Sequence, residues 1–359
     1  MKILIITNHS YMLYQFRREL IQMLMKEHEV VLSMPFVGHE EDFRAMGLKC
    51  VHTDVDRRGI NPARDMKLMR TYRALLRAEQ PDLVITYSIK PNIYGGLMCG
   101  MLGIPFCANV QGLGTAFQRK GLARFVTVLY RTALKKAKTV FFENEGNARE
   151  FLDRKILTRE KITVLPGAGI NLEKYPLTAY PENDQVRFLY LGRIMKEKGM
   201  DELFAAMRCL RGELGDKVVL DLVGFFDDDY EARVNQLVAD GIAVFHGFQT
   251  DPVPYYAAAD CVVLPSYHEG LSNVLLEAAA IGRPVITSDI HGCKEAVDPD
   301  ASGLLCAVKD ADDLHQKMLK MANTHRAERE RMGLAARHKV EREFEKGMVV
   351  NKTIHGIFE

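Results

Sequence analysis

No run of about 18 apolar residues occurs in this 359-residue chain, and a helix crossing a bilayer needs roughly that many. A membrane-spanning helix is therefore excluded. The seven cysteines include no C-x-x-C pair, which removes the commonest zinc and dithiol spacings. Met1–Ile6 reads as a short strand and not as the start of a secretory leader, so reduced thiols in a cytosolic setting are expected in place of disulfides. Neither an internal repeat nor a low-complexity segment is present, which excludes solenoids and propellers. Acid is missing over one long window: between Asp82 and Glu143 there is no carboxylate, while Lys90, Arg119, Lys120, Arg124, Arg131, Lys135, Lys136 and Lys138 all fall inside it. Residues 1–165 carry 26 Lys+Arg against 16 Asp+Glu, a net +10, and the remainder 22 against 31, a net −9. The overall +1 hides this split, which points to an anionic surface or polymer as partner of the first half.

What is present is globular. The length exceeds one ordinary core and fits two domains, with 47% hydrophobic and 26% charged residues. Short apolar strands (Lys2–Thr7, Glu29–Met34, Cys50–Thr53, Leu83–Tyr87, Pro105–Val110, Thr139–Phe142) alternate with helices over about 14–26, 64–79 and 92–102. The pattern restarts after Pro166-Gly167-Ala168-Gly169, with strands at Phe188–Leu191, Val218–Val223, Ala243–Phe245, Asp260–Leu264 and Pro284–Thr287, and is helical beyond Asp310. The fold class is α/β, two Rossmann-like doubly wound parallel-sheet domains, residues 1–168 and 169–341. Phe344, Met348, Val349, Ile354 and Phe358 fall near helical spacing in a last segment, 342–359, and need a surface to bury.

Ligands of open parallel sheets bind outside the carboxyl ends of the strands. The richest such place is Ser266–Pro284. Gly270 breaks the chain after a buried strand, Ser272 and Asn273 are candidate caps, and Gly282 and Pro284 stop the helix that follows. Glu269 and Glu277 stand eight residues apart, a little over two helical turns. Either Glu277 is a solvated helix residue, or the two carboxylates hold hydroxyl groups while the amides of Gly270, Leu271 and Ser272 offer a helix N-terminus to phosphate. Gly192-Arg193 and Lys198-Gly199 also follow a strand; they form a solvated basic turn or a fork and a point charge on a diphosphate. Asp227-Asp228-Asp229 reads as a solvated acidic turn and not as a Mg²⁺ site. In 115–138, Phe117, Leu122, Phe125, Val126, Val128 and Leu129 interleave with the basic residues. That segment is an interfacial helix beside an anionic leaflet, or an amphipathic helix packed on the first sheet. Nucleic acid is not expected, because the aromatics sit with the aliphatics.

Gly192-Arg193 with Lys198-Gly199, followed by Glu269-Gly270 and Glu277-Ala278, resembles the retaining glycosyltransferases of the GT-B type. Their two Rossmann-like domains face a central cleft, and a C-terminal helix crosses back to the first. Phe16-Arg17, Ile60-Asn61-Pro62, Gln111-Gly112-Leu113-Gly114, Asn144-Glu145-Gly146-Asn147, Gly169-Ile170-Asn171 and Ser288-Asp289 with Gly292–Val297 make the chain similar to bacterial enzymes that extend polyprenyl-diphosphate-linked oligosaccharides. The resemblance implies transfer of a hexose or N-acetylhexosamine, of the N-acetylgalactosamine type in α linkage, from a UDP-sugar to a lipid-linked glycan for capsule, O-antigen or glycoprotein synthesis. It implies that Arg193 and Lys198 hold the diphosphate, Glu277 the ribose hydroxyls and Glu269 the donor sugar, with Gly192 and Gly270–Ser272 alongside and the base near Gly247-Phe248, read mainly by backbone. Arg193, Lys198 and Glu269 would carry catalysis without a metal or other cofactor. His9, Arg17, Lys90, Gln111 and Gly112 are the acceptor-side candidates. Two departures stand out: Gln111 replaces a histidine found in many relatives, and Asn8-His9-Ser10 replaces a Gly-Gly loop. The expected setting is the cytoplasmic face of the membrane, bound peripherally through 115–138. A soluble transferase or epimerase of the same fold would not need that basic segment; a non-catalytic carbohydrate-binding protein would not need both charged sets.

Overall fold

The structure, a computed structural model, describes residues 1–56, 61–113, 117 and 120–359, with the backbone alone at Lys120. Ile60, Gly114, Thr115 and Arg119, each part of a segment singled out above, lie outside the described residues. The chain divides into two compact units, 1–168 with 347–359, and 169–346.

The first unit runs β1 (Lys2–Ile6), α1 (Ser10–Met25), β2 (Glu29–Met34), α2 (Glu40–Ala45), β3 (Lys49–His52), α3 (Pro62–Glu79), β4 (Leu83–Tyr87), α4 (Gly96–Leu102), β5 (Phe106–Val110), α5 (Lys120–Ala133), β6 (Thr139–Phe142), α6 (Glu145–Asp153) and β7 (Ile162–Val164). All seven strands are parallel, in the order β3-β2-β1-β4-β5-β6-β7. Alternation along β1 sorts the two faces. Ile3 and Ile5 join Leu13 and Ile21 of α1, whereas Leu4 and Ile6 join Leu68 and Tyr72 of α3 and Val126 of α5.

The second unit holds β8 (Val186–Leu191), α7 (Met200–Leu214), β9 (Val218–Val223), α8 (Glu231–Ala239), β10 (Ala243–Gly247), α9 (Val253–Ala258), β11 (Cys261–Leu264), α10 (Asn273–Ile281), β12 (Val285–Ser288), β13 (Gly303–Cys306), α11 (Ala311–Asn323) and α12 (Arg326–Glu343). Its six parallel strands are ordered β10-β9-β8-β11-β12-β13. Strand order reverses between β1 and β4 in one sheet and between β8 and β11 in the other.

The final helix, α13 (Lys346–Phe358), packs Val349, Val350 and Ile357 onto the same face of the first sheet as α1. Gly356 lies so close that a Cβ would stand 2.8 Å from the Phe141 ring, and Lys138 Nζ donates to the Ile357 carbonyl at 2.9 Å. The return begins at residue 347 and not at 342: Phe344 remains in the second unit's core, and Met348 is exposed. Other differences from the sequence reading are local. Helix α1 starts at Ser10 because His9 Nδ1 accepts the Met12 amide as an N-cap. Pro91–Gly95 forms a π-helical turn running into α4, and the helical run after Asp310 is three helices.

Candidate active site

From the switch point between β8 and β11 the chain turns toward opposite edges of the sheet, and the loops after the two strands leave a crevice at their carboxyl ends. Gly199 (φ 74°) approaches the end of β11 so closely that a Cβ would stand 2.1 Å from the Pro265 carbonyl oxygen. Only glycine tolerates both the space and the backbone angle. That contact brings Lys198 against Glu269: Nζ and Oε1 form a hydrogen-bonded ion pair, and Ser266 Oγ donates to the same oxygen at 2.9 Å. The seam continues outward, where the Tyr267 amide donates to the Glu197 carbonyl at 3.0 Å and the Tyr267 hydroxyl to Glu202 at 2.8 Å.

Arg193 is held from two sides. The buried Tyr190 hydroxyl donates to its carbonyl at 2.6 Å, and its guanidinium pairs with Asp227 at 2.7 Å. Burial drives the Tyr190 phenol well above its ordinary pKa, so it stays a donor. Asp228 accepts the Lys196 amide at 2.8 Å. The acidic turn, expected to be merely solvated, therefore clamps the basic loop. Its signal in the sequence was position, directly after the strand that pairs with β8. Each of the two cations is matched by one carboxylate, so an added anion must compete with Asp227 and Glu269 for them.

Glu277 is 8% exposed on the inner side of α10. Tyr256 donates to it at 2.8 Å and Tyr175 also bonds it. Burial nonetheless raises its pKa, against those hydroxyls and the charges of Lys174 and Lys346. The alternative of a solvated helix residue is overturned. One of the three amides before α10 is committed within the fold. Ser272 N–H is already taken, donating to the Gly292 carbonyl at 2.8 Å, and Leu271 buries its side chain. Gly292 (φ 91°) is itself required, since a Cβ there would stand 2.4 Å from the Gly270 carbonyl oxygen. Gly247 ends β10, and Phe248 beside it is exposed.

In the first unit a cavity of about 220 Å³ is lined by Asn8, Ser88, Ile89, Lys90, Gln111 and Gly112 among others. It gathers Lys90, Gln111 and Gly112 over a buried network in which Thr86 donates to Asn92 at 2.7 Å and Asn92 to the Asn109 carbonyl at 2.8 Å. Lys90 arrives already paired with Asp65 at 2.8 Å. His9 caps α1. Arg17 is not brought to this cavity: its buried guanidinium pairs with Glu143 at 2.6 Å and lies over the Tyr87 ring. A larger cavity of about 360 Å³ on α7 and α8 contains none of the candidate residues. The chemistry collects at the strand ends instead.

Residues 185–324 match the family model described as glycosyl transferases group 1, and residues 12–174 match the model described as glycosyltransferase family 4. The chain is 30% identical, over 89% of its length and 88% of the relative's, to the N,N'-diacetylbacillosaminyl-diphospho-undecaprenol alpha-1,3-N-acetylgalactosaminyltransferase of Campylobacter jejuni. This chain belongs to the group 1 glycosyltransferases. The glycosyltransferase is also 26% identical to the Escherichia coli UDP-Gal:alpha-D-GlcNAc-diphosphoundecaprenol alpha-1,3-galactosyltransferase, over 74% of this chain and 73% of that one. Its fold matches that of Anabaena Alr3699/HepE, solved in complex with UDP, with a TM-score of 0.79 at 16% identity and 99% of each chain covered. The architecture is accordingly of the GT-B type. The group 1 match contains Arg193, Lys198, Glu269 and Glu277; the family 4 match contains Arg17, Lys90, Gln111 and Gly112, while His9 lies ahead of it. Among the described residues of this glycosyltransferase, no helix is long and apolar enough to cross a membrane, and no group of three or more His, Cys, Asp or Glu side chains is placed to hold a metal ion.

Proposed function

We propose that the protein is a retaining glycosyltransferase that moves a hexose or N-acetylhexosamine, of the N-acetylgalactosamine type in α linkage, from a UDP-sugar to a polyprenyl-diphosphate-linked glycan. The observation that carries this reading is the juxtaposition of Lys198, Glu269 and Arg193 at the β8/β11 switch point. Family membership and relatives named for undecaprenyl-diphosphate acceptors support it. The diphosphate takes the places of Asp227 and Glu269 on the two cations, and Glu269, once released, turns to the donor sugar. The acceptor hydroxyl oxygen bonds the anomeric carbon on the face from which the diphosphate departs. The carbon–oxygen bond to phosphate breaks, and the hydroxyl proton passes to the leaving phosphate oxygen. Arg193 and Lys198 stabilise the charge that develops there, a role otherwise filled by a metal.

Peripheral binding to the anionic cytoplasmic leaflet completes the proposal. On α5, Phe125 (50%) and Val128 (54%) are exposed beside Arg124, with Lys135 further along the same side. The basic set is smaller than the sequence implied. Arg131 spends its guanidinium on the Arg154 and Lys155 carbonyls, and Lys136 donates to the Gly100 carbonyl.

The test is a panel of nucleotide sugars offered with a polyprenyl-diphosphate-linked acceptor, with the product anomer assigned by NMR and EDTA in half the reactions. Transfer with the donor's α configuration kept, undiminished by EDTA, is expected. An inverted product, or activity lost to EDTA and restored by Mg²⁺, overturns the mechanism.

A further inference from the structure

We propose that Tyr175 and Tyr256 are positioning residues of the donor site, an inference that rests on the nucleotide-sugar reading above. Their hydroxyls hold the Glu277 carboxylate charged and turned so that it accepts the two vicinal hydroxyls of the donor's ribose. The two phenols come from separate parts of the second unit. Tyr256 stands on α9, fully buried, and donates to Glu277 Oε2 at 2.8 Å. Tyr175 follows a turn in the segment ahead of β8. Asn171 Oδ1 accepts the Glu173 and Lys174 amides at 2.9 and 3.0 Å, and the Tyr175 amide returns to the Asn171 carbonyl at 3.1 Å. The two rings meet edge to face, 6.4 Å apart at 76°, so each fixes the direction of the other. Arg337 of α12 ties the pieces together. Its guanidinium donates to the Tyr175 carbonyl at 3.1 Å and to the carbonyl of Ala280, on the helix of Glu277 itself, at 2.6 Å.

The fold alone has no need of a carboxylate here. A buried acid costs free energy in its charged form, and a glutamine of the same length would accept from the phenols without that cost. Burial does drive the Glu277 pKa up. The groups that oppose it are Tyr256 and Tyr175 through hydrogen bonds, then Lys174 and Lys346 through their charge. Lys174 keeps its ammonium over the Tyr175 ring, 5.3 Å from the centroid. Phenols suit the task because they stabilise the anion without neutralising it. Burial and the neighbouring Glu277 charge hold the Tyr256 phenol well above its ordinary pKa, so it stays a donor. A carboxylate offers about four acceptor directions, and the two phenols use about half of them. A vicinal diol brings two further donors, which is what a ribose presents. A protonated Glu277 is itself a donor and meets those hydroxyls with fewer lone pairs.

The experiment is calorimetric titration of the full chain with UDP and with 2′,3′-dideoxy-UDP, which lacks both ribose hydroxyls, from weakly acid to weakly alkaline pH. Wild type, Y256F and Y175F are compared, each checked for its melting profile. The quantity read is the ratio of the two affinities, in which the phosphates, titrating alike in both ligands, cancel. In wild type the ratio should favour UDP at high pH and fall as the pH drops through the raised pKa of Glu277. Each phenylalanine variant removes a hydrogen bond to the charged form, so the fall should move by about one to two pH units toward higher pH. A variant whose profile superimposes on that of wild type overturns the role of its tyrosine. An equal loss for both ligands with no shift also overturns it, since the tyrosines would then only support packing. Wild type that binds the two ligands equally at every pH overturns the proposal while leaving the nucleotide-sugar reading standing. Wild type that binds neither removes that reading and the positioning role with it.

Discussion

Glu277 occupies a place that opposes its own charge. Native burial raises its pKa above the ordinary 4.5, so between the two values the folded chain binds more protons than the unfolded one. Stability therefore falls as pH rises across that window and levels off above it. Glu277→Gln removes the dependence. Its melting temperature relative to wild type should climb as the pH is raised from 4.5 to neutrality, while UDP binding is lost; a difference that stays flat with pH would contradict the assignment. On the proposed reading Arg193 and Lys198 each give the diphosphate a charge-assisted hydrogen bond worth ~1.5–3 kcal/mol. Arg193→Ala and Lys198→Ala should each lower turnover by about 10- to 150-fold with melting curves close to wild type. Unchanged turnover in both variants would remove the diphosphate from this loop. At this scale, residue types and their spacing were legible, and their environments were not. The spacing of Glu269 and Glu277 said nothing of Tyr256 and Tyr175, which close over Glu277 from distant parts of the chain. Asp227 looked like one of three solvated carboxylates because nothing in a local charge run reveals an arginine 34 residues earlier.

Elements were readable where strong punctuation surrounds an apolar run. Cys261–Leu264 is four buried residues closed by Pro265, and Gly282 (φ 85°) stops α10 where the sequence placed the stop. Strand β13 escaped because it is only four residues long and follows a turn of Asp, Ala, Ser and Gly. Helix α2 escaped because Phe43 alone is buried in its six residues, which leaves no periodicity to find. Helix α5 was legible as amphipathic: Ala123, Val126, Tyr130 and Ala133 pack inward, as expected of a helix on the first sheet, while Phe125 and Val128 are exposed. The outward side yields a prediction at this scale. Each basic residue near an anionic leaflet adds about 1 kcal/mol, so Arg124→Glu with Lys135→Glu should weaken binding to anionic vesicles by roughly 2 kcal/mol or more. Turnover on a short water-soluble acceptor should be unaffected. Raised salt should mimic the reversal by screening. Vesicle sedimentation reads the first effect, and binding that is indifferent to both changes would make α5 purely structural.

For the whole molecule, the decisive feature is that the first unit is made from the two segments that flank the second, residues 1–168 and 347–359. Val349, Val350 and Ile357 are each buried on its sheet. At ~1.5–3 kcal/mol per buried side chain, their loss rivals the ~5–15 kcal/mol that holds a whole domain folded. Deleting 347–359 should leave residues 1–168 open to limited proteolysis while 169–346 resists it and still binds UDP. Equal resistance of both units would show that α13 is dispensable.

The same connectivity sets an order of events during synthesis. A ribosome adding ~5–20 residues per second takes about 9 to 36 s to translate the 178 residues from Gly169 to Lys346. Throughout that interval the first sheet is uncovered where α13 will lie, and by its end the second unit has all of its residues. The unit that begins the chain is thus the last to be finished. The surface over Phe141, which Gly356 will cover, is the one that a nascent-chain chaperone would meet.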